Sequence, residues 1–178
     1  MLAACAHTAP RDSSPKVPAG WPLLAPATLG TDRAVTQVLR AAFADREMTF
    51  NCVVKVDHEL LTVVALSAIG ERLFTLKFDG SEPHVLPATA LPAPFRPEGL
   101  LNDLQFAFWD LAKLQAAFAG TSWQVTEPFA STRRLKHAGR LVAEVHYASA
   151  DPWSGRLWLA NFAFGYSLSV DTRAVQEP

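Results

Sequence analysis

Between Asp32 and Phe78 the chain holds no proline, and apolar residues alternate there with polar ones at a period of two. That spacing puts every second side chain on the same face, so it predicts long half-buried strands and argues against an amphipathic helix. Strands are expected at residues 33–43, 48–57, 59–67 and 72–79. Turns at Ala44-Asp45-Arg46-Glu47, Asp57-His58 and Ala68-Ile69-Gly70 separate them. These connections are too short for crossovers, so the strands must form an antiparallel meander. A brief fifth strand near 84–86 precedes Pro87, Pro92, Pro94 and Pro97, a stretch that cannot continue a ladder.

After Pro97, a good first helical residue, the period changes. Leu101, Leu104, Phe108, Leu111 and Phe118 recur at helical spacing, Phe106 and Trp109 widen the apolar surface, and Gly120 ends the segment. Period two then returns at 122–126, 132–137, 140–149, 155–163 and 166–172, with Gly139 in a hairpin and Asp151-Pro152-Trp153-Ser154-Gly155 in a longer turn. About ten strands thus flank one helical hairpin without βαβ alternation. The expected fold is mainly β (α+β): a curved antiparallel half-barrel of 10 to 11 strands with a helical lid on its concave face.

A length of 178 residues, 49% of them hydrophobic, suits one domain with a sizeable core. That domain is expected over residues 28–173, with a short tail at 174–178. Its interior would bring together Phe74, Leu76, Phe78, Leu101, Leu104, Phe108, Trp158, Phe162 and Phe164, as either packed core or a lipid-binding cavity. Both readings stay open at this level.

Leu2-Ala3-Ala4-Cys5 has the form in which a bacterial lipoprotein signal ends, with small residues before a cysteine that accepts a diacylglycerol. Residues 6–27 follow it with Pro10, Ser13, Ser14, Pro15, Pro18, Pro22 and Pro26, which reads as a flexible tether. A signal needs a basic segment and an apolar stretch before its cysteine, whereas only Met1 precedes the box, so an upstream leader is expected. Ala6, where an Asp would hold a Gram-negative lipoprotein in the inner membrane, points to lipid-anchored delivery to the outer membrane, on its periplasmic face.

Sixteen basic against seventeen acidic residues leave a net charge of −1, which offers nucleic acid no basic field. No run of about 18 apolar residues exists to make a spanning helix. The histidines, His7, His58, His84, His137 and His146, lack metal-site spacing, and Ser154 lies outside any Gly-x-Ser-x-Gly elbow. Glu144 and His146 share a strand face and could form an acid–base pair, but a solvated face explains them more simply. Cys52, in phase with Phe50, Val54 and Val56, reads as a small buried hydrophobe rather than a disulfide partner of Cys5. No catalytic residue, metal or cofactor is expected, and the chain should be a monomer.

The run from Leu60-Leu61-Thr62-Val63-Val64 through Ser67-Ala68-Ile69-Gly70-Glu71-Arg72 to Leu76 resembles the strand–loop–strand of the outer-membrane lipoprotein receptor LolB. The helical segment 97–118 and the closing strands from Arg134-Leu135 to Val170 follow the same order. The likeness covers roughly residues 20–172. It is closer still to a family of outer-membrane lipoproteins often encoded beside aryl-polyene or fatty-acid-like biosynthetic genes. The resemblance implies a half-barrel of about eleven strands whose apolar cavity receives acyl chains of a lipid or lipoprotein, and a periplasmic LolA-like carrier as a partner. It also implies that Ile69 is the protruding loop residue that pushes cargo into the membrane.

Overall fold

The computed structural model describes residues 21–43, 46–87 and 96–174. Cys5, residues 6–20 of the expected tether and residues 175–178 lie outside the described residues. Ten strands make one unclosed, curved, antiparallel sheet. They are β1 (Arg33–Phe43), β2 (Arg46–Val56), β3 (Leu61–Leu66), β4 (Arg72–Phe78), β5 (His84–Pro87), β6 (Trp123–Phe129), β7 (Thr132–His137), β8 (Arg140–Tyr147), β9 (Gly155–Asn161) and β10 (Tyr166–Ala174). Their order is β5-β4-β3-β2-β1-β10-β9-β8-β7-β6, two meanders joined where β1 pairs with β10.

Alternation decides which side of each strand is covered. In β2, Phe50, Cys52, Val54 and Val56 are buried while Asn51, Val53 and Lys55 are exposed. Burial pushes the Cys52 thiol up to about 12, so it stays protonated and packs as a small apolar group. Strand β3 begins at Leu61, two residues later than its apolar pattern suggests. The Asp57 carboxylate accepts from the Glu59 and Leu60 amides at 3.0 and 2.8 Å, which closes a turn there. Both edges of the sheet contain proline: Pro87 ends β5, and Pro128 lies in β6 where its pairing with β7 slips between Thr126 and Phe129. Ala138 and Gly139 both have positive φ, 47° and 78°, as the two-residue turn between β7 and β8 requires.

The single helical stripe of the sequence becomes two helices, α1 (Pro97–Phe108) and α2 (Leu111–Phe118). Asp110 makes the break. Its carboxylate accepts from the Ala112 and Lys113 amides at 2.9 and 3.4 Å, so it caps α2 while Trp109 turns extended.

The sheet curls around α1, which is gripped by strands from nearly its whole width. Buried Arg133 of β7 donates to the carbonyls of Phe106 and Trp109 at 2.8 and 2.7 Å, and the Tyr147 hydroxyl of β8 donates to that of Ala107 at 2.7 Å. These are carbonyls that a helix end leaves without intrahelical partners, and the cation also suits the negative end of the helix dipole. Burial raises the Tyr147 phenol to about 12, keeping it a donor at any physiological pH.

The N-terminal stretch that reads as tether is docked from residue 21 onward. Trp21 packs edge-on against Phe106, Phe118 and Trp123 with ring centroids 5.2 to 6.2 Å away. Gln105, wholly buried in α1, exchanges two hydrogen bonds with the backbone of Leu24, at 2.9 and 2.7 Å. A short 3-10 helix, Pro26–Leu29, follows, held by the Trp109 indole N–H on Thr28 at 2.8 Å. Gly80 lies directly against it: its φ is +102°, and an added Cβ would come within 3.0 Å of the Ala25 Cβ and 3.3 Å of its Cα. Gly80→Ala should therefore lower stability by about 1 to 3 kcal/mol in thermal or urea unfolding.

Candidate functional site

Between the first half of α1 and the turn joining β9 to β10 lies a cleft of about 640 Å³. Its apolar wall comes from six separate places: Leu23, Phe43 at the end of β1, Pro83 before β5, Leu100 on α1, Phe164 in the turn, and Leu168 on β10. Exposed Arg96 and Glu98, at the start of α1, contribute one charge of each sign. A second lobe of about 290 Å³ continues toward Trp21, Trp123 and Leu135. The lobes share Leu23, Gly99, Asn102, Asp103, Ala163 and Phe164, so they read as one channel beside the helix. The buried Trp21 indole N–H in the second lobe finds no acceptor among the described residues.

A polar cluster stands in the shared wall. The carboxylate of Asp103, 5% exposed, accepts from the Asn161 amide at 3.1 Å through one oxygen and from the Tyr166 hydroxyl through the other. Asn161 also reaches the Tyr166 oxygen at 3.2 Å and accepts from the Phe164 amide at 3.2 Å, tying the turn to the helix. Burial pushes Asp103 up to about 6, against the downward pull of its two hydrogen bonds. Burial, with the neighbouring carboxylate, holds the Tyr166 phenol far above its ordinary range.

The residues proposed from sequence fall into three groups. Phe74, Leu76, Phe78 and Leu101 are completely buried in solid core. Leu104 and Phe108 are buried too and border a void of only about 20 Å³, and the Phe108 ring lies 4.5 Å from that of Trp153. Trp158 and Phe162 are corrections to the expected interior, being 46% and 51% exposed. Leu157 and Leu159 take the inward positions of β9, so Trp158 faces outward with the Arg156 guanidinium over its ring at 5.9 Å, and Phe162 sits beyond the strand in the turn. Phe164 alone of the nine lines the cleft.

Ile69 projects from the Ser67-Ala68-Ile69-Gly70 turn between β3 and β4, 82% exposed. Ile69→Ala should therefore change stability by less than about 0.5 kcal/mol, whereas a core position would lose about 2 to 5 in the same urea titration.

His146 and Glu144 do meet on the outer face at 2.7 Å, with Thr132 on the other imidazole nitrogen at 3.2 Å. Arg134 also binds Glu144 and, as the largest cause, holds its carboxyl below the usual range. The Thr132 hydroxyl belongs to a buried residue, and none of these four side chains lines the cleft, so the group reads as a cross-strand ion-pair network. Among the described residues no three His, Cys, Asp or Glu side chains are placed to hold a metal ion, and no helix is long and apolar enough to cross a membrane.

Fold and site together define an open antiparallel half-barrel wrapped around a helical layer, with a largely apolar channel along one flank of the helix. Residues 34–174 match the family described as protein of unknown function (DUF3261), and the chain belongs to that family. No curated protein matches it.

Proposed function

We propose that this protein is a lipoprotein anchored through Cys5 to the periplasmic face of the outer membrane, and that its cleft takes up an acyl chain. The cargo would be a lipid, a lipoprotein or a polyene-type lipid, carried to or inserted in that membrane. One observation carries this reading: a cleft of about 640 Å³ with a largely apolar wall falls within the range of roughly 300 to 1,000 Å³ typical of small-molecule sites. The likeness to LolB and the exposed Ile69 support a delivery step in which the β3–β4 turn enters the bilayer, with a LolA-like carrier as the donor of cargo.

Two variants test the separate parts. Cys5→Ser in the full-length precursor should release the protein from the outer-membrane fraction, and unchanged sedimentation would remove the anchor. Ile69→Glu should leave folding and uptake of a fluorescent fatty-acid probe intact while slowing transfer of the bound probe to liposomes. Burying one Ile in lipid contributes only about 1.5 to 3 kcal/mol, so a slowing of about tenfold or more is the expected scale. Equal transfer rates would leave a lipid-binding module without this delivery route.

A second reading, a non-catalytic scaffolding lipoprotein, is favoured by the interior itself. The centre of the half-barrel, where Phe74, Leu76, Phe78 and Leu101 meet, is packed rather than hollow. On that reading the flanking cleft would hold no cargo in protein taken from membranes.

A further inference from the structure

Of the residues around the channel, Asp103 has a position no other shares. It borders both lobes of the cleft and also the small void beneath α1. Its carboxylate has four lone-pair sites, and the described partners, Asn161 and Tyr166, occupy one on each oxygen. It makes no ion pair with a described Lys, Arg or His. A buried carboxylate that accepts two hydrogen bonds from described residues is therefore built into a largely apolar wall, where a bound molecule could donate to it further and a second carboxylate would be repelled.

The charged groups nearest in the cleft do not cancel this bias. Arg96 and Glu98 are both exposed, lie at the start of the same helix and carry opposite signs. From the facing strands the titratable groups are Tyr166 on β10 and Cys52 on β2, and burial keeps both neutral.

We infer that Asp103 selects among apolar-chain cargoes by their polar end, favouring one that donates hydrogen bonds, as a protonated amine or a hydroxyl does, over a free carboxylate. This rests on the reading that the cleft takes up an apolar chain. Asp103 acts here as a specificity residue, and its bonds to Asn161 and Tyr166 fix the carboxylate in the wall.

The test is displacement of the neutral probe 1-N-phenylnaphthylamine from the full chain at about pH 8 by three amphiphiles of equal chain length: dodecylamine, 1-dodecanol and dodecanoate. The amine should displace the probe at a concentration about tenfold or more below that of dodecanoate, the scale of one charge-assisted hydrogen bond. In Asp103→Asn that ratio should collapse toward one while the alcohol changes little. Tyr166→Phe, which keeps the carboxylate and frees one more acceptor site, should preserve or raise the preference, so a conclusion is reached even if Asp103→Asn folds poorly. A ratio near one in the wild type, a ratio unchanged in folded Asp103→Asn, or a preference lost in Tyr166→Phe overturns the inference while leaving the cleft in place. Failure of the probe and all three amphiphiles to bind overturns the cleft reading itself.

Discussion

Arg133→Met is expected to cost about 3 to 5 kcal/mol in urea unfolding, mostly through two helix-end carbonyls left without a donor. Arg133 is 5% exposed and divides its donors among three acceptors. Two are the Phe106 and Trp109 carbonyls, and the third is the Glu127 carboxylate, at 2.7 Å in the ion pair. Methionine fills similar space and donates nothing, so the two carbonyls would be left buried and unpaired, at about 1 to 3 kcal/mol each. Arg133→Lys should recover only part of the loss, because one ammonium cannot reproduce the planar fork that reaches the helix end and Glu127 together. A loss below about 1 kcal/mol in Arg133→Met would mean that the end of α1 does not depend on this residue.

The second large effect is a pH dependence. Asp103 has its folded-state pKa raised to about 6, so its neutral form is the one the fold favours. Its contribution to stability is then fully present below the unfolded value near 4, and is lost as pH rises through about 6. Roughly two units correspond to about 3 kcal/mol between pH 4 and pH 7. Asp103→Asn cannot ionise, so the difference in unfolding free energy between the two proteins should change by about that amount across the window and be level above it. A difference independent of pH from 4 to 7 would show that the carboxyl titrates as it does in water.

Strand positions were legible because alternation is a local signal. Thr132–His137 and Arg33–Phe43 coincide with their sequence limits, and most other ends lie within a residue or two. Phase was harder to read where the strand is apolar on both faces. In Leu157-Trp158-Leu159-Ala160 nothing local says which side is inward, and pairing of β9 with β10 and β8 decides it in favour of the leucines. The break between α1 and α2 was written in Asp110, a capping residue in an otherwise continuous apolar stripe.

The cleft left no periodic trace because its wall is gathered from six segments, including Leu23 in a stretch that resembles linker. Asp103 did leave a signal. It lies three residues after Leu100 and four before Ala107, on the buried stripe of α1, where a carboxylate is out of place unless hydrogen-bonded. The pairing with Asn161 and Tyr166, some sixty positions away, could come only from the fold.

Native mass spectrometry of the full chain, extracted gently from the membranes of cells that make it, tests the account most directly when the wild type is compared with Ala163→Trp. Ala163 lies in the wall shared by both lobes and is only partly buried, so an indole there should fill the channel and leave the core intact. The wild-type protein should carry the added mass of an acyl-chain lipid, and folded Ala163→Trp should be bare. A bare wild type, or equal lipid on both proteins, would contradict it.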